Sequence, residues 1–95
     1  MLTGKTRTGK TTTGFEFTIE DCALDDWELL EALADIDDGK TQKIGTAVKL
    51  LLGKEQADAL KDHCRNDEGR VPASAMMAEV GEIFTAMREN KTIKN

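Results

Sequence analysis

The strongest chemical signature in this sequence lies at its start. Gly4-Lys5-Thr6-Arg7-Thr8-Gly9-Lys10-Thr11 fits the phosphate-cradling pattern G-x-x-x-x-G-K-[ST] at every position. That chemistry needs a buried strand leading into the loop and a helix N-terminus facing the phosphates. Only Met1-Leu2-Thr3 precede the motif, and Thr12-Thr13-Gly14 and a strand pattern follow it. The match is therefore attributed to a Thr/Gly/Lys-rich composition, and nucleotide binding is not expected. A second near-match covers residues 64–75, where Asn66, Glu68, Gly69 and Val71 fit the middle of a calcium loop. Its first and last positions are Cys64 and Ala75, where the ion requires an aspartate and a bidentate glutamate. An acidic glycine turn remains.

His63 is the only histidine, so imidazole acid–base chemistry would rest on it alone. Its neighbours Asp62 and Cys64 point away from it on a helix, which predicts a surface or interface position. Cys22 and Cys64 have no metal-ligand spacing and read as two buried free thiols. Asp25-Asp26 is explained as a helix cap. Asp37-Asp38 lies at the unfavourable end of the same helix, either offset by Lys40 and Lys43 or left as a contact site. No enzyme, cofactor or metal centre is expected.

These residues are positioned by a short chain. Ninety-five residues make one small domain with a thin core, which favours a partner surface or a homo-oligomer over a large cavity. Phe15, Phe17 and Ile19 alternate with Glu16, Thr18 and Glu20, the period of a half-buried strand. Residues 2–7 are the nearest partner, which predicts a hairpin turning at 8–13. The clearest helix follows. Asp25 and Glu28 are placed as a capping box, Leu24 and Leu29 as a staple, and Leu29, Leu33 and Ile36 as an apolar stripe with Trp27, Leu30 and Ala34 beside it. Gly39 is its stop.

Thr41 is expected to cap a second helix running to Leu52, with Gly45 unfavourable inside it. A third is expected over residues 55–65 and a last one over 73–89. The last carries an apolar face of Met76, Met77, Val80, Ile83, Phe84 and Met87. The predicted fold is mainly α (α+β): an N-terminal strand or hairpin, then about four short helices. Residues 1–13 form a flexible or hairpin segment, 14–89 the domain and 90–95 a frayed tail.

The net charge of −5 is strongly segmented. Residues 16–39 hold ten acids and no base, whereas residues 40–54 hold four lysines and no acid. The acids form a solvated face or a surface for a basic partner. The consecutive helices at 42–52 and 55–65 suggest a helix-turn-helix, but acids mix with bases along the second, so no nucleic-acid contact is expected. No apolar run approaches a membrane span and no secretory leader is seen, so a soluble, cytoplasmic protein is expected.

Several stretches carry a resemblance. They are residues 23–37, Val48-Lys49-Leu50-Leu51-Leu52-Gly53, Asp67-Glu68-Gly69-Arg70-Val71, residues 79–84 and Gly14-Phe15-Glu16-Phe17. Together, over about residues 14–88, they resemble small tail assembly chaperones of long-tailed bacteriophages and prophages. The Thr/Lys-rich start is not part of the likeness. The resemblance implies a non-enzymatic role in the host cytoplasm: binding the tape measure protein, keeping it soluble while tail tube protein polymerises around it, and leaving before the virion is complete. It also implies that this chain is the short form of a pair that includes a frameshifted longer one. The partner-binding candidates are Trp27, Asp26, Glu31, Met77 and Phe84. The alternative is a small acidic regulator or inhibitor, a nucleic-acid mimic that covers a basic protein surface.

Overall fold

The structure, a computed structural model, describes residues 6–93, with side chains as far as residue 88. Alternation does what period two dictates. Strand β2 (Glu16–Glu20) buries Phe17 and Ile19, with Phe15 buried just ahead of it, and exposes Glu16 and Glu20. Strand β1 (Thr6–Lys10) pairs with it antiparallel, Arg7 opposite Ile19 and Gly9 opposite Phe17.

The hairpin is thus further along the chain than predicted. Residues 8–10 are strand rather than turn, and residues 1–5, part of the expected partner, lie outside the described residues. The turn closes over residues 11–14. Thr11 N–H donates to the Phe15 carbonyl and Gly14 N–H to the Thr11 carbonyl, both at 2.9 Å. Gly14 takes a φ of 98°, which a side chain would oppose. Thr6–Lys10 being strand, and β2 being the next element, no loop opens onto a helix at the phosphate-like motif.

Five α-helices follow: α1 (Asp21–Leu24), α2 (Trp27–Asp37), α3 (Ile44–Leu52), α4 (Lys54–Cys64) and α5 (Ala73–Ile93). The four longer ones are those the periodicity predicts. The single turn α1 consumes residues 21–24, so Asp25 closes it, its N–H donating to the Cys22 carbonyl at 3.3 Å. The cap of α2 moves one residue to Asp26, whose Oδ1 accepts from Glu28 N–H at 2.8 Å. The capping box expected at Asp25 is not formed. Nor does Thr41 cap α3; it opens a 3₁₀ turn (Thr41–Lys43) that runs directly into the helix. Helix α5 passes its expected end at Glu89, since nothing in residues 90–93 breaks a helix; residues 94–95 lie outside the described residues.

Helix α3 is the central element, packed on α2, α4 and β2. Its Ala47, Val48, Leu51 and Leu52 are buried between the strand's Phe17 and Ile19 and the inner faces of the other helices. Leu29 of α2, Leu60 of α4 and Ile83 of α5 are each sealed from solvent. The outer edge of β2 is closed by a side chain. Gln56 of α4 accepts from Thr18 N–H and donates to the Thr18 carbonyl, both at 2.7 Å, taking the place of a third strand.

Two glycines should respond oppositely to alanine. A β-carbon on Gly9 would stand 2.6 Å from Cζ of Phe17. Gly9→Ala is expected to lower the unfolding free energy by about 1–3 kcal/mol in urea at unchanged slope. Gly45, inside α3, has nothing within 4 Å. Gly45→Ala should therefore stabilise by about 0.5–1 kcal/mol.

Candidate functional site: the outer face of α2

Helix α2 has a conventional inner face and an unusual outer one. At 100° per residue, Leu29, Ala32, Leu33 and Ile36 share the side turned to the core. Leu29 and Ala32 are buried, and Leu33 and Ile36 pack half-buried against the core cluster. Trp27, Leu30 and Ala34 share the opposite side. Trp27 is 71% exposed and Leu30 50%, the two largest apolar side chains left in solvent on this helix. These two are costly residues to leave wet, at roughly 1.5–3 kcal/mol each relative to burial.

A row of carboxylates runs beside this ridge. Glu28, Glu31, Asp35 and Asp38 follow the same three- and four-residue spacing. Asp35 is half-buried and meets Lys40 Nζ at 3.9 Å. Among the described residues no ion pair reaches Glu28, Glu31, Asp37 or Asp38. Lys40 therefore offsets Asp35 rather than the expected Asp37-Asp38 pair. Glu28, Glu31 and Asp35 also form one wall of a shallow groove whose other wall is Lys43, Thr46 and Leu50.

The five site residues expected from sequence are not gathered in one place. Trp27 and Glu31 stand on the outer side of α2. Asp26 is at its head, half-buried, with one carboxylate oxygen committed to the cap. Met77 lies on α5, 48% exposed beside Ala78, Gly81 and Thr85. Phe84, on the same helix, packs half-buried against the core. The broad face predicted for α5 is accordingly narrower, because Met77 points out of it.

A second polar constellation was not foreseen. The hairpin turn is docked on α5 and on the end of α4 by its threonines. Thr12 donates its N–H to Oε1 and its hydroxyl to Oε2 of Glu82, both at 2.8 Å. Thr13 Oγ1 donates to Glu79 Oε2 at 2.7 Å and lies 2.8 Å from His63 Nε2. With the single hydroxyl proton directed at Glu79, the contact to His63 is completed by the tautomer that carries its proton on Nε2. In a nucleophile–base pair the hydroxyl would donate to the imidazole; here it donates to the Glu79 carboxylate instead. This His–Thr–Glu array is a clamp. Glu79 is only 3% exposed, and its Oε1 has no hydrogen-bond partner. His63 also lays its ring against Phe15, centroids 5.4 Å apart. The available signal was a Thr-Thr-Thr-Gly turn together with two glutamates three residues apart among the apolar residues 75–84 of α5.

The calcium-like turn is self-contained. Asn66 Oδ1 accepts from Glu68 N–H at 2.9 Å and Arg70 N–H at 3.1 Å. Among the described residues no three His, Cys, Asp or Glu groups are assembled for a metal. Both cysteines are free, and Cys22 is exposed rather than buried as expected, since the short helix α1 carries it at the surface. Its thiol donates to Glu20 Oε1 at 3.5 Å, which holds its pKa above the ordinary thiol value. Burial, then the charge of Glu79, raises that of Cys64. Among the described residues no helix is long and apolar enough to cross a membrane. No family model, curated protein or solved structure matches this chain.

Thr13→Val should strip Glu79 of its donor and cost about 1–3 kcal/mol, with amide exchange in the hairpin accelerating more than in α3. Both raised thiols should be neutral at pH 7, so iodoacetamide labelling should be slow there and quicken as pH rises past 9. Glu20→Gln should speed labelling of Cys22 at pH 8, followed by peptide mass spectrometry, and leave Cys64 unchanged.

Proposed function

We propose that this chain is a tail assembly chaperone of a long-tailed bacteriophage or prophage. In this reading it has no catalytic role. It binds the tape measure protein in the host cytoplasm, holds it soluble while tail tube protein assembles, and is left out of the virion. The observation that carries the proposal is the outward placement of Trp27 and Leu30 on a helix whose core-facing residues already satisfy the fold. A small acidic domain with an exposed apolar ridge suits a holder of long, aggregation-prone segments. The ridge supplies affinity, and the unpaired carboxylates keep the complex dispersed. The resemblance of residues 14–88 to this family points the same way.

A second reading draws on the carboxylates alone: an acidic regulator that covers a basic surface. The two readings diverge under mutation. Co-expression with the product of the adjacent long tail gene should yield soluble, co-purifying partner, and Trp27→Ala with Leu30→Ala should lose both properties. Failure of the unaltered protein to solubilise or retain the partner would sink the chaperone reading. Binding that survives Leu30→Ala but collapses when Glu28, Glu31 and Asp35 are neutralised would favour the regulator.

A further inference from the structure

We infer that the occupant of the α2 face is an amphipathic helix carrying lysine or arginine along one flank of its apolar stripe. This rests on the reading of that face as the partner surface and adds the chemistry of what it recognises. The backbone argument comes first. Every amide in the body of α2 is paired within the helix, so the face offers no N–H or C=O groups to an extended peptide. A segment lying on it must satisfy its own backbone, as a helix does.

The side chains then set the stripe. Trp27, Leu30 and Ala34 present apolar contacts at spacings of three and four residues, over about 10 Å of axis. A partner helix meets such a ridge with anchors at the same spacings. The carboxylates set the flank. Glu28, Glu31, Asp35 and Asp38 all lie to one side of the ridge; Lys40 meets Asp35, and the groove beyond places Lys43 opposite Glu28, Glu31 and Asp35, so the acids outnumber the bases two to one. On the other side Asp37 stands at the far end, and the Asp26 carboxylate is engaged in capping. The charge is therefore one-sided. It selects a matching one-sided row of bases and fixes which way round the partner helix is rolled.

Trp27 is the only tryptophan, so its emission reports the face directly. Three tryptophan-free helical peptides sharing one leucine stripe, with lysine, glutamine or glutamate on one flank, are titrated into the full chain. The lysine peptide should shift Trp27 emission to the blue and bind at least about ten times more tightly than the glutamine peptide at low salt. That margin should shrink as salt is raised, since the charges are exposed. Glu28→Gln with Glu31→Gln should remove most of the margin, and Leu30→Ala should weaken both peptides, with circular dichroism confirming that each variant is folded.

Equal binding of the lysine and glutamine peptides, or a margin that survives the double glutamine variant, overturns the inference. So does the absence of any emission shift. A blue shift of the protein alone as its concentration rises overturns it too, by making a second copy the occupant. Loss of tail-protein rescue with the lysine preference intact would remove the chaperone assignment and leave the surface chemistry standing. Rescue without the preference would do the reverse.

Discussion

A two-stranded ribbon does not hold together in water without something covering its apolar side. That constraint organises the whole molecule. Phe15, Phe17 and Ile19 must be buried, and the material available is a set of helices of which all but α5 are short. Helix α3 meets the need by being apolar on most sides, so that it can touch the strand and both neighbouring helices at once. The other helices then require only one apolar face each. Their remaining faces are free of the core, and on α2 that freedom leaves Trp27 and Leu30 in solvent.

The polar interactions complete what burial begins. Core contacts are tolerant of sliding, whereas hydrogen bonds fix position. The hairpin is held at its turn by Thr12 and Thr13 on the glutamates of α5, and along its edge by Gln56 of α4. Glu79 is the expensive member, a buried acid with one oxygen unpartnered. A clamp of that kind is sensitive to the loss of a single hydroxyl, because the carboxylate left behind is stranded away from water.

What was legible in the sequence followed from periodicity. The alternation at residues 15–20 and the three-to-four spacing of Leu29, Leu33 and Ile36 each reflect one dominant force, burial, acting on one element. Where two local preferences compete, the sequence was ambiguous. Asp25 and Asp26 are equally good caps, and the insertion of α1 decides between them. Thr41 is a good cap residue, yet the 3₁₀ turn leaves it no role. Long-range polar pairing was not legible at all. Nothing in the spacing of Thr13, His63 and Glu79 says that they meet, because that depends on how the hairpin lies across two helices. The α2 face is half legible: Trp27 and Glu31 stand out by type, whereas spacing alone puts Leu30 beside the core stripe and only its exposure separates it.

Alternation cannot by itself distinguish the observed strand pairing from one displaced by two residues, since either keeps Phe15, Phe17 and Ile19 on the inner side. The glycine opposite Phe17 can. A slip of two would set Arg7 or Thr11 across from Phe17 in its place, and the ring now occupies the space where a β-carbon at that position would be. Gly9 thus acts as a key to register, a function exercised against wrong pairings rather than for any contact of its own. A residue belonging to the most misleading motif in the sequence is the one that makes the hairpin unambiguous.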